Sequence, residues 1–354
     1  MTVLSMLNYQ VDEYMENMLE HEYQYKEGFA SARDTVRKLF IETAPNKNKQ
    51  GEAPKNCNIP PRTSKSNLPG RYDKDDTKVN GHENGSSLDL SHMKVVLSRY
   101  IAHILQHPSV VKSTRDMQTR LARELETFLL AHIDHAEDNY KFAHQSNKRS
   151  MSVPVPSNKT SHKAYNGNRD SAGDAKGEDI INGARGYFKK YENPGRTFYN
   201  WVHNTSADHT SCPFSFVFFQ CLLFATHGDV AGRKPKIAYL VEDVCRHLAS
   251  LCRIYNDYGS LARDLDESNL NSLNFPEFSV DDGGITEQEA KAQLMSISEY
   301  ERRCLNVALD QLDHEISSSS GRNNGKWMSA IRFFVNVTDL YGQIYVVKDI
   351  ATRK

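Results

Sequence analysis

The chain has 354 residues, enough for one large domain or two small ones, and 38% of them are hydrophobic, which supplies material for a core. The 44 Lys and Arg residues nearly balance the 45 Asp and Glu residues, so the formal net charge is −1. That balance excludes a global basic field of the kind that holds nucleic acid or an acidic membrane surface.

The six cysteines and the N-terminus indicate the compartment. No two of the cysteines form a CxxC pair, so the sequence offers no zinc or redox motif of that kind. Most of them stand in apolar helical contexts, which favours buried free thiols and a reducing, cytoplasmic location. The first residues lack the basic segment of a signal peptide, and no apolar run reaches the roughly 18 residues that span a bilayer. The sequence therefore predicts no stable membrane insertion.

Helical periodicity accounts for three parts of the chain. Residues 1–43 carry an apolar stripe at helical spacing, and the pattern resumes over 92–144, where Pro108 interrupts it. From 196 to 351 the chain is dense and helical, without strand alternation. Its predicted long helices cover 236–265, 286–316 and 326–351. We therefore predict one all-α domain over residues 1–354.

Two polar segments separate these helical parts. Residues 45–91 and 145–195 are rich in Pro, Asn, Lys, Gly and Ser and have few periodic apolar residues. They cannot bury enough apolar area to offset the entropy of ordering the chain, so both are predicted to be disordered insertions. By contrast, the stretch PFSFVFFQCLLFATHGD, which begins at Pro213, is apolar on nearly all faces and predicts a buried helix.

A polar row interrupts the apolar pattern of the predicted helix 236–265. Asn256, Ser260 and Asp264 follow one another at steps of four residues and so lie close to one line on a helix. Their side chains offer a carbonyl oxygen, a hydroxyl and a carboxylate, which are hard ligands that suit Mg²⁺. Asp257 stands beside the row and is predicted to face about 100° away from it. Helix capping is an alternative interpretation that the spacing alone leaves open.

The stretch NDYGSLARD, which contains this row, resembles the second metal-binding motif of class I terpene synthases. Asp264 stands where that family more often has Glu. Arg263 holds the position of a basic residue that contacts diphosphate in the family, so the resemblance implies this role for Arg263. The longer string RIYNDYGSLARDLDESNLNSLNFPEF is similar to the C-terminal synthase half of fungal bifunctional copalyl diphosphate/ent-kaurene synthases. The resemblance implies an all-α class I terpenoid synthase helical bundle.

The family carries a second acidic motif on a facing helix, and DEYME is the candidate here. Asp12 and Glu16 share one face of the predicted first helix, with Glu13 between them, and the resemblance implies that these acids bind metal. A solvated acidic helix face is the alternative, because HIDHAEDN and DKDD are equally acidic. We predict that Asp12 and Glu16 lie across one cleft from Asn256, Ser260 and Asp264.

In two places the chain departs from the resembled enzymes. Only eleven residues precede Asp12, whereas several helices precede this motif in the family, so we expect a chain that is truncated and incomplete at its N-terminus. The Asp-x-Asp-Asp motif of the proton-initiated cyclase half is also absent from the sequence. In SADHTS, the family places the break of a pocket-lining helix, which makes Asp208 and Ser211 further candidates, while His209 is expected to have a loop or helix-start role.

The implied chemistry is that of a diterpene synthase, a lyase that ionises and cyclises a prenyl diphosphate with Mg²⁺. By resemblance the substrate is ent-copalyl diphosphate and the product an ent-kaurene-like diterpene. Two alternatives remain open. One is a prenyl-elongating transferase of the same fold, which NDYGSLARD disfavours; the other is a non-catalytic helical remnant of such an enzyme.

Overall fold

A computed structural model describes residues 2–22, 26–43, 90–145, 189–230, 232, 234–278, 286–318 and 324–348. Within these ranges all regular structure is helical, which confirms the all-α prediction. The α-helices are α1 (Thr2–Glu22), α2 (Lys26–Thr43), α3 (Ser91–Leu105), α4 (Pro108–Val111), α5 (Arg115–His144), α6 (Phe198–His203), α7 (Thr205–His209), α8 (Cys212–His227), α9 (Pro235–Glu267), α10 (Glu287–Ser317) and α11 (Asn324–Val347). Two short 3₁₀ turns, Ser272–Asn274 and Pro276–Phe278, follow α9.

The apolar helix α8 separates two cores. One of its faces packs with α1, α2, α3 and α5 through residues such as Phe128 and Phe214. Another face packs with α9, α10 and α11 through residues such as Phe216 and Trp327. Each fully buried side chain of this size contributes about 1.5–3 kcal/mol. The predicted buried helix is therefore confirmed, and its sequence is apolar around its circumference because it is covered on more than one side.

A third, smaller core lies beneath the C-terminal half of α9. It joins Phe142, Trp201, Leu261 and Phe275, which come from α5, α6, α9 and the segment after α9. The chain reverses at Ser268, which takes a left-handed conformation with φ 59°. This reversal brings residues 269–278 back under the helix that carries the polar row.

Two glycines allow α9 and α11 to approach closely. A Cβ atom on Gly259 would lie 2.1 Å from the backbone oxygen of Tyr345, and one on Gly342 would lie 2.8 Å from the ring of Tyr255. No larger side chain fits at Gly259 without a shift of α11. The contact places the C-terminal end of α11 beside the polar row of α9.

The predicted helix boundaries hold with small changes. Pro108 interrupts the third helical part, as predicted, and forms the first residue of α4. Residues 44–89 and 146–188, where most of the two predicted disordered insertions fall, lie outside the described residues. Residues 189–195, at the C-terminal end of the second predicted insertion, are described and ordered: Tyr191 is 2% exposed, and its backbone N–H donates to the oxygen of Asn274 over 2.7 Å. None of the described helices is both long and apolar enough to cross a membrane.

Candidate functional site

The structure brings together two members of the polar row on α9. Ser260 Oγ donates a hydrogen bond to Asp264 Oδ2 over 2.6 Å, and Asn271 Nδ2 donates to the same oxygen over 2.7 Å. Burial raises the pKa of Asp264 to about 6, and the negative charge of Asp257 adds to the effect. A nearby cation would favour the ionised carboxylate, because opposite charge stabilises the charged form. The arrangement thus holds a preorganised oxygen ligand.

Asn256 and Arg263 flank this pair along the same helix. Asn256 is half-buried, eight residues before Asp264. Arg263 Nη2 lies 3.8 Å from Asp264 Oδ1, and its side chain keeps 25% of its surface exposed. The guanidinium therefore stands beside the row and remains accessible to an anion.

Asp257 does not point into solvent. Its position on α9, about 100° around the helix from the polar row, is compatible with either an exposed or a buried side chain. It is fully buried, and its Oδ2 accepts hydrogen bonds from Ser272 N at 2.8 Å and Ser272 Oγ at 2.5 Å. Arg253 Nη2 lies 2.5 Å from Asp257 Oδ1. Arg253 and Asn271 were not among the residues predicted from the sequence, although the i, i+4 spacing of Arg253 and Asp257 indicates an ion pair on a helix.

On α1, Asp12 reaches a group of histidines. Asp12 Oδ1 lies 2.6 Å from His132 Nε2 and 3.8 Å from His209 Nε2. His132 Nδ1 faces the backbone oxygen of Phe128 at 2.9 Å. One ligand atom each from Asp12, His132 and His209 lies within 4.8 Å of the others. His209, for which a loop or helix-start role was expected, therefore belongs to the surroundings of Asp12.

Glu16 lies on the same face of α1 as Asp12, as their spacing predicts. Burial lowers the pKa of His132. The hydrogen bond to Asp12 and the negative charges of Asp12 and Glu16 raise it by a larger amount, so the net shift of the pKa is upward. Glu16 is exposed, and Glu13 is half-buried. Asp12 and Glu16 thus both direct negative charge toward the buried ring of His132.

Tyr345, near the end of α11, has a raised pKa. Burial and its hydrogen bond with Tyr341 are the main causes; among the charges, Arg263 lowers the pKa and Asp12 raises it. That Asp12 and Glu16 face the α9 row across one cleft stays a prediction.

The helix break expected around SADHTS is present. Helix α7 ends at His209, α8 begins at Cys212, and Ser211 between them takes a left-handed conformation with φ 60°. Asp208 pairs with the guanidinium of Arg246. The break turns His209 toward Asp12 and engages Asp208 with a neighbouring helix instead.

Comparison with known proteins identifies relatives of the chain by sequence. The chain is 33% identical to pimaradiene synthase pbcA of Emericella nidulans over 98% of its own length, and 32% identical to ent-kaur-16-ene synthase of Fusarium fujikuroi over 77%. It is 29% identical to bifunctional premutilin synthase of Clitopilus passeckerianus over 47%. The matches span 31%, 25% and 18% of these relatives, so the chain covers about a third or less of their length. No protein-family model matches the chain.

Among solved structures, a point-substituted variant of cucumene synthase aligns with 93% of this chain and 75% of its own, with a TM-score of 0.46 and 8% identity. The assignment of the chain to a protein family therefore rests on the relatives found by sequence. The resemblance to class I terpene synthases is confirmed. More particularly, the chain is homologous to the fungal diterpene synthases.

The donor atoms fit the metal that this resemblance implies. Asp12, Glu16, Asn256, Ser260 and Asp264 all offer oxygen, and no sulfur ligand is among them. Mg²⁺ takes oxygen ligands and keeps several waters for a phosphate substrate. The strongest sign of fit is the buried carboxylate of Asp264, whose orientation is fixed by hydrogen bonds from Ser260 and Asn271.

Proposed function

We propose that this chain is the class I catalytic part of a diterpene synthase, which ionises and cyclises a prenyl diphosphate. The observation that carries the proposal is the hydrogen-bonded pair of Ser260 and Asp264, which stands beside Arg263 on α9. The proposed substrate is ent-copalyl diphosphate, and the proposed product is an ent-kaurene-like diterpene.

Asn256, Ser260 and Asp264 would hold Mg²⁺ on one side of the diphosphate, and Asp12, Glu13 and Glu16 on the other. When bound, the metal neutralises charge that develops on the diphosphate leaving group. Ser260 can ligate while its hydrogen points to Asp264, because its oxygen keeps lone pairs. Asn271 Nδ2 donates a hydrogen bond to Asp264 Oδ2 over 2.7 Å and so fixes the orientation of the carboxylate.

Arg263 would bind the diphosphate directly. A guanidinium matches phosphate oxygens with two parallel N–H groups, and it stays charged throughout the reaction. The side chain of Arg263 is 25% exposed, so an incoming anion can reach the guanidinium.

Water must be kept from the carbocation that ionisation creates. Ser260 and Asp257 are fully buried, so this side of α9 is shielded from bulk water, which supports the proposal.

The relatives are named after different products, so the carbon skeleton of the product is the most detailed claim in the proposal. Some are named ent-kaur-16-ene synthases, and another is a phyllocladan-16-alpha-ol synthase. The relative that matches 98% of this chain is named a pimaradiene synthase. A pimaradiene product is therefore the second candidate.

The test is an assay of the chain with ent-copalyl diphosphate and with geranylgeranyl diphosphate, in Mg²⁺ and in EDTA, with hydrocarbons identified by mass spectrometry. We expect a Mg²⁺-dependent diterpene from ent-copalyl diphosphate that Asp264→Asn abolishes. Asp266→Asn, an exposed acid two residues further on, is the matched control and should keep the activity. Longer prenyl diphosphates made from isopentenyl diphosphate would instead indicate a transferase, and no turnover of any substrate would indicate a remnant.

A further inference from the structure

A second group of polar side chains lies where α6, α9 and α10 meet. His203, His247 and Glu301 each place one ligand atom within 4.8 Å of the other two. Glu301 is 2% exposed, whereas the side chains of His203 and His247 are 16% and 18% exposed, so the group is buried but reachable from solvent. His247 lies nine residues before Asn256, which is about 13 Å along α9 and on its opposite face. The group is thus separate from the proposed diphosphate site.

The hydrogen-bond partners of His203 fix which of its nitrogens carries hydrogen. Nδ1 lies 2.9 Å from the backbone oxygen of Tyr199, which can only accept, so Nδ1 donates. Nε2 lies 3.1 Å from Glu301 Oε1. In a neutral ring Nε2 would present a lone pair to a carboxylate, and the two would repel. The contact therefore requires positive charge between them, either a proton or a metal ion.

His247 is also oriented from its far side. Nδ1 lies 2.7 Å from Glu301 Oε2, and Nε2 lies 3.5 Å from Asp243 Oδ1. Histidines that bind metal usually donate their other ring N–H to a carboxylate or a backbone carbonyl, which fixes the tautomer and the ring. The Tyr199 carbonyl is such a partner for His203, and the Asp243 carboxylate lies on the far side of His247 within ion-pair distance.

The donor atoms of the group suit a cation. Two imidazoles and one carboxylate form the donor set of Zn²⁺ sites that keep a fourth position open. Mg²⁺ prefers oxygen ligands and does not compete well for imidazole.

We propose that His203 Nε2, His247 Nδ1 and Glu301 bind one transition-metal ion of the Zn²⁺ class. The ion takes the place of the proton that otherwise lies between imidazole and carboxylate. It links α6, α9 and α10 at a distance from the diphosphate chemistry, which uses Mg²⁺ and different residues.

The test uses Co²⁺ as a spectroscopic substitute for Zn²⁺, added to EDTA-treated and dialysed protein in excess Mg²⁺. We expect one equivalent to bind with visible ligand-field absorption and without the near-ultraviolet bands of a cobalt–thiolate bond. His203→Gln and His247→Gln should each weaken binding at least a hundredfold, and Asp243→Asn about tenfold to a hundredfold. His314→Gln, which removes an exposed histidine from the same helix α10, is the matched control and should bind as the wild type does.

A measurement on the unmodified protein covers the case in which the variants fail to fold. Nitrogen-15 spectra of the histidine rings should show that Zn²⁺ shifts Nε2 of His203 and Nδ1 of His247, while Nδ1 of His203 keeps its hydrogen. The proposal is overturned by the absence of Co²⁺ and Zn²⁺ binding, by thiolate bands, by binding that both histidine variants retain, or by ring nitrogens that Zn²⁺ leaves unchanged.

Discussion

Arg253 and Asp257 form an ion pair inside the protein, one turn apart on α9, with 2.5 Å between Nη2 and Oδ1. Both side chains are buried, and the Arg253 guanidinium lies 5.3 Å from the centre of the Trp201 ring. Through Ser272, Asp257 also anchors the segment that returns beneath α9. That segment carries Asn271, so the ion pair helps to position the carboxylate of Asp264.

Replacement of Asp257 by Asn should cost stability, because it leaves the Arg253 charge buried without a partner. We expect the free energy of unfolding to fall by about 3–5 kcal/mol, as when a buried pair loses one member. Denaturant unfolding measures this. Asp34→Asn is the control, since Asp34 pairs with Arg37 at the surface, with side chains 65% and 55% exposed, and should change stability by less than about 1 kcal/mol. An equally small effect of Asp257→Asn would show that the pair does not anchor the fold.

Gly259→Ala should force α9 and α11 apart. The added Cβ would lie 2.1 Å from the Tyr345 backbone oxygen, which cannot move without its helix. We expect a loss of at least about 1–3 kcal/mol, the usual cost of overpacking. Gly325→Ala on α11 is the matched control, because its Cβ would have no atom within 4 Å and the helix gains up to about 1 kcal/mol. The midpoint of thermal unfolding should fall in Gly259→Ala and rise in Gly325→Ala. A change in the same direction in both variants would contradict the close approach of α9 and α11.

Asn271→Ala should raise the Mg²⁺ concentration that activity needs. The substitution removes the donor to Asp264 Oδ2 and the donor to the Asp257 backbone oxygen, at 2.7 and 2.8 Å. Loss of a hydrogen-bond partner that orients a metal ligand typically lowers metal affinity or activity by a factor of about 10–100. The rate measured against Mg²⁺ concentration tests this, with Asp266→Asn as the control. An unchanged half-saturating Mg²⁺ concentration would mean that Asn271 does not position Asp264.

His135 should make the protein less stable in mild acid. Its ring is buried near Trp201 and His209, and burial, followed by the charges of Arg253, His132 and Arg196, holds the pKa of His135 well below its usual range. As pH falls below about 6.5, the unfolded chain takes up a proton that the folded protein refuses, so stability falls by up to about 1.4 kcal/mol per pH unit.

The variant His135→Gln, which cannot take up this proton, isolates the effect from that of the neighbouring histidines. Denaturant unfolding of both proteins between pH 7 and pH 5 should show a slope that is smaller by about one proton in the variant. Parallel pH profiles for the two proteins would indicate that His135 titrates in the folded protein as it does in the unfolded chain.

Local patterns were enough to predict the helices and half of the candidate site. Apolar periodicity gave α8 and α9, and four-residue steps gave Ser260 and Asp264 on one line, which the 2.6 Å hydrogen bond between them confirms. Asp257 was placed from helix geometry alone. It is buried because residues 269–278 fold back under α9, which is a tertiary event that no local spacing reveals.

The partners of Asp12 could not be predicted from the sequence, because they too are brought together by tertiary packing. His132 is 120 residues away along the chain, and nothing near either residue signals that they meet. The close approach of α11 to α9 at Gly259 was likewise not visible in the sequence. The metal-binding roles of the two motifs come from sequence resemblance, and their location across one cleft stays a prediction.

The most direct test of the central claim is calorimetric titration of inorganic diphosphate into the protein, with and without Mg²⁺. If the α1 acids and the α9 row hold one Mg²⁺–diphosphate group together, binding should require Mg²⁺ and should weaken at least tenfold in Asp12→Asn and in Asp264→Asn, while Asp266→Asn binds like the wild type. The double variant Asp12→Asn/Asp264→Asn should lose less than the sum of the single losses, because both carboxylates serve the same group. Binding without Mg²⁺, or unchanged affinity in either single variant, would contradict a shared site.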